Sequence, residues 1–439
     1  MNNSISKRNW LLIWILGMSG QICWNIENSW FNTFVYAKIA KDPAIISWMV
    51  GVSAVISTLA TFVIGTWSDR AGKRKPFIAA GYILWGLFTI GFGATEFMPK
   101  NPFISAIVIV VAADAIMSFF GSTGYDAAFN PWTTDISNER NRGKLGGAFA
   151  AMPVLATIFG AVVSGIIVDK FDFFPFFVFM GSFVIIMGIF TIFTLKDAPH
   201  LKAVRHEKGY FHQFASVFKL KTVMANQELF WVFVINAVYF IGFNVYFPYI
   251  TIYFNNYLHM SYMTAGALQG IGLVSAVCLT IPAAKLIDSG KPVRVICMAI
   301  ATNFAGLLVI FFSTHIALLL LGIFGAGVGY VLILQTLTAW IKNLYPEDQR
   351  GQFEGIKQIF GICIPMVVGP LISYYIIQYN GIRMEIDGVM GTVPSNTLFL
   401  FSALLTLFTF LPLIPANRLH RSRMHPVSIQ PLHKEDLNL

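Results

Sequence analysis

The hydrocarbon core of a bilayer is about 30 Å thick, so a helix rising about 1.5 Å per residue needs about 20 mostly apolar residues to cross it. Twelve stretches of this chain have that length and character, each bounded by charges or turn residues: 10–36, 44–66, 77–97, 103–130, 146–168, 173–195, 228–254, 262–287, 293–314, 316–340, 354–379 and 397–415. In lipid, backbone groups must be satisfied within the protein, and runs of this length achieve that as helices. The pattern predicts an all-α membrane protein with twelve transmembrane helices. Only 12% of the 439 residues are charged, about half the share of roughly 25% found in soluble domains. The longest interval without an apolar run, 196–227, divides the spans six and six. The expected organisation is a six-helix bundle over 1–195, a cytoplasmic linker over 196–227, a second bundle over 228–415 and a cytoplasmic tail over 416–439.

A net charge of +9 in a soluble chain would invite a nucleic-acid reading, but here the placement of the charges decides. With the N-terminus in the cytoplasm and sides alternating, 24 of the 30 Lys and Arg lie on the cytoplasmic side, whereas Lys38, Lys41, Lys100, Lys170 and Arg383 lie outside. This asymmetry follows the positive-inside rule and predicts a multi-pass protein of the cytoplasmic membrane with both termini inside. No small-residue cleavage site follows the first apolar run, which is therefore expected to be retained. Cys23, Cys278, Cys297 and Cys363 all lie in apolar runs, where neither a disulfide framework nor a zinc ribbon would place them. No hydrolase, kinase or metalloprotease motif occurs. The expectation is a non-enzyme without metal or cofactor, acting as a monomer on a small molecule, with no nucleic-acid partner.

The two halves echo each other. The loop after the second run carries Gly65, Asp69-Arg70, Gly72 and the cluster Lys73, Arg74, Lys75, and the loop after the eighth carries Asp288, Gly290 and Lys291. After the fourth run come Glu139, Arg142, Gly143 and Gly147; after the tenth, at the same spacing, Glu347, Arg350, Gly351 and Gly355. Parallel six-helix halves place a binding site at their interface near the bilayer midplane and give alternating access by rocking.

The series from Gly65 through Asp69, Arg70 and Gly72 to Arg74 resembles the loop signature of the major facilitator superfamily, which implies two pseudo-symmetric six-helix bundles. On that resemblance Gly65, Asp69, Arg70, Gly72, Arg74, Arg142 and Arg350 form the conformational motif: Gly65 admits close helix approach, and Asp69 caps a helix end or pairs with a base released as the halves rock. Three stretches further resemble the glycoside-pentoside-hexuronide:cation symporters, especially their sucrose-transporter-like branch: Ser68-Asp69-Arg70 leading to Gly72 and Pro76-Phe77-Ile78, Asp126 to Asn130-Pro131, and Gly351-Gln352 with Gly355 and Ile364-Pro365. That resemblance implies symport of a sugar or glycoside with a cation, and gives Asp126 the position of the coupling aspartate. The acidic residues that melibiose-type members use for sodium on the second helix are missing between Ala44 and Gly65, which favours protons.

A charge at the bilayer centre costs about 2.5–3.5 kcal/mol, so each needs a partner, a wet cavity or a function. In the first run Gln21, Asn25, Asn28 and Asn32 fall at i, i+4, i+7 and i+11, one stripe on an ideal helix, with Trp24 and Glu27 beside it. Amides, a carboxylate and a flat indole suit a polyhydroxylated ring; a polar seam between helices is the alternative. Asp114 and Asp126, twelve residues apart, should point about 120° apart and serve as rival proton sites, Asp126 with Asn130 one turn on. A helix-end aspartate balanced by Arg140 or Arg142 is the plainer reading of Asp126. Glu354 and Lys357 are an i, i+3 pair that neutralises locally, unless Lys357 reaches the cavity and meets Asp126 or the substrate. Asn244, Tyr246, Gln335 and Gln358 complete the candidate binding set.

Four functions compete. A proton-coupled sugar or glycoside symporter uses the amides, the aromatics and the motifs. A drug/proton antiporter would carry a signature of glycine-proline and paired glycines in its fifth helix, and that signature is missing from the stretch Gly146-Gly147 to Pro153 here. A lipid or lysolipid transporter fits the 41 phenylalanines, but those suit any lipid-facing surface. An integral-membrane enzyme lacks a nucleophile or metal constellation.

Overall fold

The computed structural model describes residues 5–99, 103–137, 141–199, 201, 203, 224, 226–280, 291–344, 355–386 and 388–424. Among these residues, twelve helical segments follow one another: α1 over 7–39, α2 Pro43–Ala71, α3 Lys75–Phe97, α4 Ile104–Asp135, α5 Lys144–Phe171, α6 Phe173–Thr194, α7 Gln227–Tyr257, α8 Tyr262–Cys278, α9 Pro292–Phe312, α10 Ile316–Leu344, α11 Gly355–Asn380 and α12 Thr397–Met424. Ten of them are long and apolar enough to cross a membrane; α8 is apolar but shorter, and α1 is broken internally. Where both are described, the anticipated runs and the observed helices coincide to within about five residues, except the last: it was expected to end at 415 and give way to a tail over 416–439, but α12 continues as helix to Met424 with Ala416 and His420 buried.

Local chemistry sets the ends. Asp42 accepts from the Ala44 amide at 2.9 Å and Pro43 occupies the first turn, which starts α2. Gly72 closes α2 in the left-handed region at φ 61°. Asp172 turns α5 sharply into α6 at φ 68°, accepting from the Phe173 amide at 2.8 Å. Its carboxylate also takes Lys38 at 2.5 Å, and Glu96 takes the same ammonium at 3.0 Å. Partial burial pulls the Lys38 pKa down, but the two carboxylates outweigh it and hold it above its ordinary value.

Among the described residues, one element departs from an all-helical chain. Between α11 and α12 a hairpin of β1 Ile382–Ile386 and β2 Val389–Val393 pairs antiparallel, Ile382 opposite Val393, with Gly388 at φ 79° in its turn. Alternating residues around Asp387-Gly388 carry the hairpin signal, too short to register beside runs of twenty apolar residues.

Within the first half α3 packs on α6 and α4, α2 on α4, and α1 on α5; within the second, α10 packs on α9 and α8, and α7 on α11 and α12. The halves meet along α2 with α11 and α5 with α8. Glycine makes the latter approach close: a Cβ at Gly266 would sit 2.1 Å from the Ala161 carbonyl oxygen, and one at Gly165 2.5 Å from that of Tyr262. Several bonds join the halves at the end that carries the hairpin. Ser47 Oγ donates to the Pro370 carbonyl at 2.7 Å, Tyr249 OH to the Pro43 carbonyl at 3.0 Å, and Tyr36 OH to the Thr392 carbonyl at 2.9 Å. The Thr392 amide donates to the Lys41 carbonyl at 3.2 Å, and Asp169 accepts from the amides of Tyr262 and Met263 at 3.0 and 2.6 Å.

Candidate functional site

Between the halves lies a cavity of about 240 Å³ with two unlike walls. The first half contributes Gln21, Trp24, Asn25, Glu27 and Asn28 from α1, Ser53 and Ser57 from α2, Asp126 from α4 and Thr157 from α5. The second half contributes Phe240, Phe243, Asn244 and Phe247 from α7, Tyr330 from α10 and Gln358 from α11. One wall is amide, hydroxyl and carboxyl; the other is mostly aromatic. Phe243 stacks on Phe247 with ring centres 4.6 Å apart and on Tyr330 at 5.0 Å, a slab that presents flat apolar surface to whatever enters.

The stripe on α1 reaches the cavity only in part, and the helix itself is the reason. From Glu27 to Phe31, and again from Val35 to Ile39, α1 is a π-helix. A π turn takes in an extra residue, so everything beyond it rotates away from the face an ideal helix would give it. Asn32, expected in the row, is fully buried and donates its amide back to the Asn28 carbonyl at 2.8 Å. Asn28 does likewise to the Trp24 carbonyl at 2.7 Å. Gln21 donates to Tyr125 OH at 2.9 Å and Asn25 to Thr157 Oγ1 at 3.0 Å, on α4 and α5. The row is thus part seam and part wall: the amide nitrogens of Gln21 and Asn25 tie α1 to α4 and α5, those of Asn28 and Asn32 turn back on their own helix, and Gln21, Asn25 and Asn28 line the cavity.

Two further candidates fall elsewhere. Tyr246 is buried against Phe243 and Phe399, outside the lining, because the aromatics at 240, 243 and 247 hold the inward face of α7. Gln335 on α10 is half-buried, also away from the lining, with its Oε1 lacking a hydrogen-bond partner. Asn244 and Gln358 are where the sequence suggested.

The carboxyls divide as their spacing implied. Asp126 sits in a further π segment, Tyr125–Phe129, and faces the cavity. It accepts from Ser122 Oγ at 3.1 Å and from Asn130 Nδ2 at 3.4 Å. Lys357, half-buried on α11, lies within electrostatic reach of it across the interface between halves. Asp114 is buried outside the cavity lining, its carbonyl accepting from Ser118 Oγ at 2.8 Å and its carboxyl hydrogen-bonded to Ser53, which does line the cavity. Glu27 lies between: it lines the cavity at 5% exposure, within electrostatic reach of both aspartates, with Oε1 2.6 Å from Ser118 Oγ. Arg350 and Glu354 lie outside the described residues, as does the side chain of Arg142, so the Glu354–Lys357 pair is not placed. Ser53, Ser57, Thr157, Ser118 and Ser122 were missed because lone hydroxyls are ordinary in membrane helices. The slab at 240, 243 and 247 was missed because aromatics read as lipid-facing; their i, i+3, i+7 spacing was the available signal.

The loop after α2 is built around Arg74, which is 5% exposed. Its guanidinium pairs with Asp69 at 2.6 Å and Asp135 at 3.0 Å and donates to Ser68 Oγ at 2.9 Å, while Asp197 accepts from the amides of Arg74 and Lys75. Burial alone would lower the Arg74 pKa, but the two aspartates hold it above its ordinary value. Asp69 therefore finds its base inside its own half. A Cβ at Gly65 would lie 4.0 Å from the Ala127 carbonyl oxygen, an ordinary contact, so the close helix approach expected there is not what this glycine provides; Arg70 is half-buried.

The family profile of the Major Facilitator Superfamily matches residues 10–370, and matches again over 232–427. The chain belongs to the major facilitator superfamily. As a member it is a multi-pass membrane protein. Among curated relatives, Multidrug resistance protein 1 of Bacillus subtilis (strain 168) is 27% identical over 175 residues, 39% of this chain and 41% of that protein. The Ascochitine biosynthesis cluster MFS transporter of Didymella fabae is 23% identical over 177 residues, 37% of this chain and 30% of that protein. The chain thus matches less than half the length of either. Among solved structures, a point mutant of the nucleoside transporter NupG superposes with a TM-score of 0.70 at 11% identity, covering 92% of this chain and 99% of that one. A bacterial homologue of the human lysosomal transporter Spinster, inward-facing and occupied, gives 0.69 at 11% identity, covering 94% and 97%. These likenesses establish the two-bundle superfamily fold.

Proposed function

We propose that this superfamily member is a secondary active transporter that carries a sugar or glycoside together with a proton across the cytoplasmic membrane by alternating access, as a monomer with both termini in the cytoplasm. The observation that carries the reading is the division of the cavity walls. Amides, hydroxyls and carboxyls on one side match the donors and acceptors of a polyhydroxylated ring, and the slab of Phe243, Phe247 and Tyr330 matches its apolar face. Gln21, Asn25, Glu27, Asn28, Asn244 and Gln358 are the proposed polar contacts, with Trp24 stacking. Asp126, facing Lys357 from the other half, is the proposed coupling carboxyl: neutralising it releases an attraction between the halves that must change as they rock. Asp114 stands behind it as the second acid. The likeness of the loop around Asp69 and of Asp126 to Pro131 to sugar-cation symporters supports the same substrate class.

The test is counterflow in proteoliposomes over mono- and oligosaccharides, with and without an imposed proton gradient. At least one saccharide should exchange, and should accumulate only with the gradient. Exchange of none would overturn the reading. Drug/proton antiport is the second reading, favoured by the aromatic wall and by the likeness to Multidrug resistance protein 1; resistance to a cationic drug on expression distinguishes it. A lipid or lysolipid carrier has only the phenylalanine content in its favour.

A further inference from the structure

A two-stranded hairpin is marginal by itself in water, and the outer edge of each strand offers unpaired backbone groups. In this chain the other half of the molecule takes up the edge of β2. Thr392, opposite Arg383 in the ladder, spends both its backbone groups on the first half: its amide donates to the Lys41 carbonyl at 3.2 Å, and its carbonyl accepts from Tyr36 OH at 2.9 Å. The segment it meets has the backbone of a strand. Ala40 (φ −158°, ψ 138°) and Asp42 (φ −126°, ψ 116°) are extended on either side of Lys41, in the short link between α1 and α2. Gly391 lets the two backbones close, since a Cβ there would lie 2.4 Å from Lys41 Cβ. Tyr36 is buried beneath the contact, and Lys41 Nζ lies 5.8 Å from the centre of its ring.

We propose that the hairpin is a latch between the halves: β2 adds to the α1–α2 link as an edge strand, holds the cavity shut at that end, and lets go of Lys41 and Tyr36 as one piece when that end opens. The hairpin is fixed to its own half at the base, where Ser395 Oγ donates to the Asn380 carbonyl at 2.7 Å and the Gly381 amide to the Ile377 carbonyl at 2.8 Å. Beyond the base β1 runs along the surface, with Ile382, Arg383 and Glu385 exposed. Link and hairpin belong to opposite halves, so rocking that parts α2 from α11 at this end must also part Thr392 from Lys41. The same helix carries the cavity wall and the partner of the latch. Gln21, Asn25 and Asn28 line the cavity, two π segments follow, and Tyr36 lies in the second of them. Such segments cluster at functional sites, and here they join the cavity to the latch. The latch rests on the alternating access proposed above, and on neither the sugar nor the proton.

The test locks the contact and reads the cavity without a substrate. In the full-length protein with Cys23, Cys278, Cys297 and Cys363 replaced by alanine, Lys41→Cys and Gly391→Cys place a thiol pair across the contact, and Asn244→Cys puts a reporter in the cavity wall. A disulfide needs Cβ atoms about 3.8 Å apart, so the pair has to ease by about 1.4 Å. An impermeant methanethiosulfonate is then added to either face of sealed vesicles. The disulfide should form on oxidation and slow labelling of the reporter from the hairpin face about tenfold, with little change from the other face and recovery on reduction. Failure of the disulfide to form, or undiminished labelling from the hairpin face once it has formed, would overturn the latch. So would a reduced protein that is never labelled from that face, because nothing then lets go. Tyr36→Phe keeps the ring, removes one bond and should speed labelling from the hairpin face about fivefold, the weight of one hydrogen bond; a rate at or below the parent's would count against the latch. Labelling that follows this pattern in a protein that exchanges no saccharide would keep the latch and reject the sugar.

Discussion

Glu27 and Glu228 are glutamates on the first helix of each half, exposed to 5% and 7%, and their surroundings are opposite. Glu228, in the first turn of α7, accepts from Trp340 Nε1 at 2.9 Å and from Arg423 Nε and Nη2 at 2.8 and 3.1 Å, with His420 Nδ1 at 3.1 Å. Both its oxygens are engaged, and the cluster ties α7 to α10 and α12 within one half. Glu27 has one serine, two neighbouring acids and an unpartnered oxygen, beside a cavity between the halves. Depth alone therefore does not mark a functional acid. A saturated carboxylate is held in one charge state, while an unsaturated one beside a wet chamber is free to change.

The sharpest test is to remove each acid in turn. Glu228→Ala leaves the buried Trp340 donor and the Arg423 guanidinium without their acceptor. Loss of one partner from a buried ionic cluster costs about 3–5 kcal/mol; because the Arg423 side chain is 44% exposed, we expect about 2 kcal/mol. Thermal unfolding of the purified protein should show that loss, whereas Glu27→Gln should unfold within about 0.5 kcal/mol of the parent. Equal destabilisation by both would erase the distinction between them.

Transport divides the acids differently. Asp126→Asn removes the attraction to Lys357 and should abolish gradient-driven saccharide accumulation while counterflow continues. Glu27→Gln alters one of the proposed polar contacts in the lining and should weaken the half-saturation of counterflow about fivefold, as for one hydrogen bond of about 1 kcal/mol. Intact accumulation in Asp126→Asn would remove Asp126 from coupling. On the opposite wall, Phe243→Leu leaves every acid in place and should only weaken the half-saturation of counterflow, about fivefold, for a stacking contact of about 1 kcal/mol.

The sequence revealed the large scale well and the site in fragments. Span limits emerged because a bilayer imposes one length on every helix: 173–195 was expected and Phe173–Thr194 is found. Asp126, Asn130, Asn244 and Gln358 were legible as polar residues that lipid would exclude. What escaped was the pitch of α1. Periodicity arguments assume 3.6 residues per turn, and no residue type between Glu27 and Ile39 announces two π segments. The same assumption hid Ser118 as the partner of Glu27, since contacts between α1 and α4 are not written in either helix alone.

The smallest predicted effect follows from that pitch. On an ideal helix Asn32 continues the row begun by Gln21, Asn25 and Asn28, and its loss would harm binding as much as theirs. On the observed helix it is fully buried, donates only to its own backbone and leaves Oδ1 without a partner. Asn32→Ala should therefore keep the counterflow half-saturation for the best-exchanged saccharide within about twofold of the parent. Asn28→Ala, in the lining, should raise it about fivefold, as expected for one hydrogen bond of about 1 kcal/mol. A larger loss from Asn32 than from Asn28 would mean that α1 runs as a regular helix during transport. Glu27 would then turn away from Ser118, and its contrast with Glu228 would no longer hold.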